Sequence, residues 1–112
     1  MSAFDNTTNA NTNAIVPADA LQRIPHDNTL RHVTKLAISE DKPVRMDYWI
    51  LSLTKEAVIG VRNNDEKLLV KNAEEYTSNI KSIHKVENDY IVSTENSIYL
   101  VSETIPKKRI AD

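Results

Sequence analysis

Residues 82–102, SIHKVENDYIVSTENSIYLVS, alternate apolar and polar side chains through short runs broken by turn-forming pairs. Ile80 to Val86, Tyr90 to Thr94 and Ser97 to Val101 read as strands, and Asn88-Asp89 and Glu95-Asn96 as the turns between them. A period of two sends successive side chains to opposite faces, which suits a sheet and no helix. Tyr90 and Val92 oppose Ile91, and Ile98 and Leu100 oppose Tyr99 and Val101. Connections this short join antiparallel neighbours, because a parallel crossover needs a dozen residues or more.

The same rhythm extends upstream. In RHVTKLAIS, Thr34, Leu36 and Ile38 share one face opposite Val33, Lys35 and Ala37, which predicts a strand beginning near Leu30. In VRMDYWILSL, Val44, Met46, Tyr48 and Ile50 fall on one side and Arg45 and Asp47 on the other. A helix over 46–53 is the rival reading; the alternation and the aromatic content favour strand. AVIGVR and KLLVK follow as strands around the turn residues Asn63-Asn64-Asp65. Gly60, the single glycine, lies inside AVIGVR, where it marks a bulge or a close approach of neighbouring atoms. Asn72-Ala73-Glu74-Glu75 resembles the capped start of one helical turn. The fold class predicted is all-β: a small antiparallel barrel or sandwich of about six or seven short strands, the barrel preferred because closure removes exposed edges.

The 112 residues suffice for one domain. Its expected limits are 30–103, preceded by a flexible polar tail over 1–14 and a short helical or extended segment over 15–29, and followed by a tail over 104–112. Residues 1–14 are nearly all Asn, Thr, Ala and Ser, with too little apolar surface to offset the entropy of ordering. Pro17 and Asp19 suit the start of a short helix, and Pro25 ends it.

Composition narrows the function. No cysteine means no disulfide, thiol nucleophile or thiolate metal site. A net charge of −2 gives no overall pull toward nucleic acid or anionic membrane. No apolar run is long enough to span a membrane as a helix, and the start lacks a signal-peptide pattern, so an intracellular (cytoplasmic or virion) setting is expected. His26, His32 and His84 do not have metal-ligand spacing, Glu74 and Glu75 diverge on any regular element, and no serine sits in a nucleophile elbow. No catalytic residue, metal or cofactor is therefore expected.

The expectation is a non-enzymatic protein-interaction or assembly module, with a protein partner or self-association as its mode of action. Phe4, Leu21, Ile24, Trp49, Lys107, Lys108 and Arg109 are the candidate partner-binding residues: apolar groups on the flanking segments, one large aromatic, and a locally uncompensated basic triplet. Eleven Asn and eleven Ile against one Gly fit an AT-rich coding sequence, as in some viruses, which brings in a viral accessory or structural component as one setting. The alternatives are a small-barrel protein for single-stranded nucleic acid, with Tyr and Lys/Arg interleaved on its surface, and a small enzyme whose site is gathered from loops.

Overall fold

The computed structural model describes residues 23–110. Among these, eight strands and two helices form two four-stranded sheets with a helix packed on one of them. In chain order they are α1 (Asp27–Glu40), β1 (Val44–Arg45), α2 (Trp49–Leu53), β2 (Val58–Val61), β3 (Lys67–Asn72), β4 (Glu75–Tyr76), β5 (Ile80–Val86), β6 (Asp89–Thr94), β7 (Ile98–Ser102) and β8 (Lys107–Arg109). The first sheet has the order β1-β7-β6-β5 and the second β4-β3-β2-β8; neither closes into a barrel.

The meander forms as its alternation predicts. Strand β6 pairs antiparallel with β5 and with β7. Both faces of its central strands β6 and β7 are buried, whereas β1 and much of β5 are exposed. On one face Val92 and Val101 meet Ile59 and Leu69 of the second sheet, with Tyr48, Ala57 and Ile105. On the other, Ile91, Ile98 and Leu100 pack against Val33 of α1 and Trp49 of α2. Strand β3 crosses beneath the first sheet: Asp65–Lys67 share a cleft with Ile80–Ile83 at the β5 edge, and Lys71 bonds Asp47 just past β1 at the opposite edge.

Four expectations are corrected. Residues 27–40 are helical and not a strand, because Leu30, Val33, Leu36 and Ala37, spaced three and four apart, make one apolar stripe against the first sheet. Ile38, which alternation paired with Leu36, is 77% exposed. Residues 44–53 hold only the two-residue β1 before the chain turns into α2, so the rival helical reading holds for Trp49–Leu53. The adjacent Tyr48 and Trp49 then enter opposite cores, and Ile50 is left exposed.

Third, Asn72 does not cap a helical turn. Its Oδ1 accepts the Glu74 N–H at 2.8 Å and closes the β3–β4 hairpin, because an Asx turn and a helix cap use the same bond. Fourth, two pairings are parallel: β1 with β7 and β2 with β8. Each pair is separated in sequence by whole strands, and the β1–β7 crossover also includes the short α2. The segment 104–110, expected as a tail, supplies β8. The expected features over residues 1–22 lie outside the described residues.

Gly60 is a site of close approach. A Cβ there would lie 2.9 Å from Ile110 Cδ1 and 3.1 Å from Val70 Cγ2, so the missing side chain is what lets Ile110 fold over the sheet.

Candidate functional site

The two sheets differ in how they are covered, and this places the candidate site. In β2 and β3 alternate residues face the first sheet: Ile59 and Leu69 are in the shared core. Their neighbours Val58, Gly60, Leu68 and Val70 therefore face away, paired as Val58↔Val70 and Gly60↔Leu68. Tyr76 joins them opposite Val70, and Lys108 opposite Gly60. No described helix or sheet packs over this outer face, although Ile110 folds across it at Gly60. Arg62, Leu68, Val70, Asn72, Ala73, Tyr76 and Ile110 line a groove of about 400 Å³ in it. Leu68 is buried at its floor, whereas Tyr76 at its rim is 56% exposed. Arg62 keeps its Nε–H buried with no hydrogen-bond acceptor.

The basic triplet stands beside this face. Lys107, Lys108 and Arg109 are all exposed on β8, an edge strand of the second sheet. Arg109 donates to the Arg62 carbonyl at 3.3 Å, and none of the three is ion-paired to another described residue. Of the other candidates, Ile24 is 65% exposed ahead of α1, and Phe4 and Leu21 lie outside the described residues. Trp49 is a core residue. It is buried, its Nε1–H donates to the Arg23 carbonyl at 2.9 Å, and the Arg23 guanidinium stacks 5.0 Å from its ring centre.

Sequence reasoning missed Asp89, which it placed in a turn. The turn is one residue earlier, with Glu87 at φ 56°, and Asp89 begins β6 fully buried. Its carboxylate accepts from Arg23 Nη2 at 2.6 Å, the His26 N–H at 3.0 Å and Thr29 Oγ1 at 2.8 Å. His26 is the N-cap of α1 but supplies no side-chain cap. Asp89 takes that role from across the fold, with its negative charge at the positive end of the helix. The one signal in sequence was a carboxylate placed where an apolar alternation resumes. At the other end of β6, Lys42 Nζ donates to the Thr94 carbonyl at 2.6 Å, and Ser93 Oγ donates to Glu40 at 2.9 Å. The Ser93 hydroxyl, with help from Lys42, holds the Glu40 carboxyl below its ordinary range. Both ends of α1 are thus fastened to β6.

The remaining polar groups are engaged in the fold. Ser52 Oγ donates to the Trp49 carbonyl and accepts the Ser102 N–H. His32 and His84 are brought to one groove between α1 and β5, lined also by Leu36, Lys85, Val86 and Ile91. Among the described residues no group of three or more His, Cys, Asp or Glu is arranged to hold a metal, and no helix is long and apolar enough to cross a membrane. Where the sheets meet, Tyr48 packs edge-on to Tyr99 at 5.3 Å, beneath Lys71. Burial, reinforced by Tyr99 and the nearby Asp47 and Glu75 carboxylates, pushes the Tyr48 hydroxyl up to about 12.

No family model, curated protein or solved structure matches the chain.

Proposed function

We propose that this chain is a non-enzymatic protein-interaction module whose contact surface is the outer face of the second sheet. One observation carries the reading: Leu68, Val70, Tyr76 and Ile110 line an apolar groove on a face over which no described helix or sheet packs, with Tyr76 exposed at its rim, while both faces of the central strands β6 and β7 of the first sheet are buried. On this reading the facing sheets are a small sandwich, and β8 brings the basic triplet to the rim of the contact. The internal engagement of Asp89, Ser52 and Ser93 supports a structural use of the polar side chains.

The test uses the tagged full chain, recovered from its source with whatever is attached. Tyr76→Lys places a charge at the rim of the groove, and Lys35→Glu changes a residue that is also exposed, on α1. A discrete protein retained by the wild type and by Lys35→Glu, and lost with Tyr76→Lys, is the expected outcome. Equal recovery with all three chains, or release by nuclease, would count against the reading. Nuclease release would move single-stranded nucleic acid ahead, and steep weakening of oligonucleotide binding with salt would then establish it.

A further inference from the structure

We infer that the groove on the outer face of the second sheet takes an acidic peptide segment of a partner protein, with an apolar side chain seated on Val70 and Tyr76 and a flanking carboxylate on Arg62. This rests on the interaction reading and adds the partner's chemistry. The groove combines an apolar floor with cationic edges. Its lining contains no Asp or Glu; Arg62 is its only charged residue. Lys108, opposite Gly60 in the β2–β8 register, adds a second cation on the same face. Of the flanking carboxylates, Glu66 accepts from Asn64 Nδ2 at 3.0 Å in the β2–β3 turn and Glu75 lies 3.5 Å from Lys71, while Glu74 is exposed in the β3–β4 turn at the opposite end of the groove lining from Arg62 in sequence.

Arg62 supplies the directional element. Its Nε–H is buried and has no acceptor, so it has given up water without gaining a bond. Among the described residues nothing pairs with the rest of the guanidinium either, so a ligand carboxylate would meet its Nη–H groups in charge-assisted form, and the planar fork suits a carboxylate better than a neutral carbonyl. A nucleic-acid strand fits less well. Tyr76 is the one largely exposed aromatic among the described residues, whereas strand-tracking surfaces stack several bases in succession.

The probe is a terminally blocked, fluorescent peptide with one leucine between two aspartates, titrated against the full chain by anisotropy. A twin peptide replaces both aspartates with asparagine. The wild type and Lys35→Glu should bind the acidic peptide alike. Arg62→Gln should weaken it roughly tenfold, and the twin should be weakened similarly on the wild type. On Arg62→Gln the difference between the two peptides should shrink to the smaller part that Lys108 supports, and Lys108→Glu should remove that part. Lys108→Glu provides a second reading, chosen on an exposed edge strand where folding is least at risk.

Absence of binding at millimolar peptide, or indifference to the carboxylates, overturns the inference. So does an oligonucleotide that binds more tightly and displaces the peptide. Light scattering that shows a dimer dissolved by Arg62→Gln would assign the groove to a second copy. Residues 1–22 contain Asp5 and Asp19 and no Lys or Arg, so tighter peptide binding by a chain carrying Asp5→Asn and Asp19→Asn would assign it to the chain's own start. If Tyr76→Lys loses a protein partner while charge in the peptide makes no difference, the interaction reading stands and the acidic specificity falls.

Discussion

The two sheets have the same number of strands and use them differently. In the first, Ile91 and Val92 are neighbours in β6 and both are buried, one beneath α1 and the other against the second sheet. In the second, Ile59 and Leu69 are buried in the shared core and Leu68 is buried at the floor of the outer groove, so the exposed apolar side chain of the outer face is Tyr76 at the rim. Strands covered on both sides contribute stability through successive side chains. A sheet covered on one side has a face left for other uses.

The sharpest way to break this contrast is to truncate one side chain on each sheet. Leu100 is fully buried on the α1 face, so Leu100→Ala removes its transfer energy and leaves a cavity, at a cost of about 3–5 kcal/mol. Tyr76→Ala, on the open face, should change stability by less than about 0.5 kcal/mol. Urea unfolding of both variants decides the matter, and comparable losses would mean that the outer face is covered after all.

Next in size is the fastening of α1. Asp89→Ala strips acceptors from Arg23, the His26 N–H and Thr29 at once. Removing one partner of a buried ion pair costs about 3–5 kcal/mol, and the partial exposure of Arg23 puts this case near the bottom of that range, at about 3. Hydrogen exchange should show the loss first in α1 and least in β2 and β3. Uniform loss across both sheets would mean that Asp89 supports the whole fold and not the cover of one sheet.

These two predictions also mark what was legible in sequence. Strands β5, β6 and β7 were readable because their period of two is local information and their loops are short. Strands β2 and β3 were readable for the same reason. Helix α1 was misread because Thr34, Leu36 and Ile38 alternate as well as Leu30, Val33 and Ala37 recur at helical spacing. The choice is made by contacts far along the chain: the helical stripe packs on the first sheet, and Asp89, sixty residues from Thr29, caps the helix where His26 does not. The parallel partners of β1 and β8 are equally non-local, since two or three residues do not encode whom they pair with. Of the candidate partner residues, the basic triplet was visible as a run of charge. Arg62 was not, because its use depends on lying beside Leu68 and Val70.

A smaller effect tests the seam between the sheets. The Tyr48 hydroxyl is raised from 10.0 to about 12, so the folded chain holds this proton more tightly than the unfolded one. Its contribution is complete below about pH 10 and is lost as pH rises through the folded value near 12. Absorbance titration should show a late phenolate phase that Tyr48→Phe abolishes. Ionisation of that residue near 10 would mean that the seam is open to water.

The smallest effect lies at the exposed end of the first sheet. Lys85 Nζ and the Glu103 carboxylate lie 3.0 Å apart, and Asn88 Nδ2 donates to the same carboxyl at 2.7 Å. Lys85 first, then Asn88, lowers Glu103 from its ordinary 4.5, and the Glu103 hydrogen bond raises Lys85. The signs oppose each other. Glu103 binds protons less readily when folded, so its contribution is present above about pH 4.5 and is lost as pH falls through the lowered value. Lys85 contributes below its unfolded value and loses that contribution as pH rises through the raised one. The pair therefore supports the fold over the broad neutral range and fades at both ends, weakly, because water and salt reach it. Denaturation of the wild type and Glu103→Gln at several pH values should give curves that converge in acid and separate slightly at neutrality, with the gap closing in high salt. A gap that persists in salt would place this edge under cover, and the first sheet would then be enclosed along its rim as well as on the two faces of its central strands.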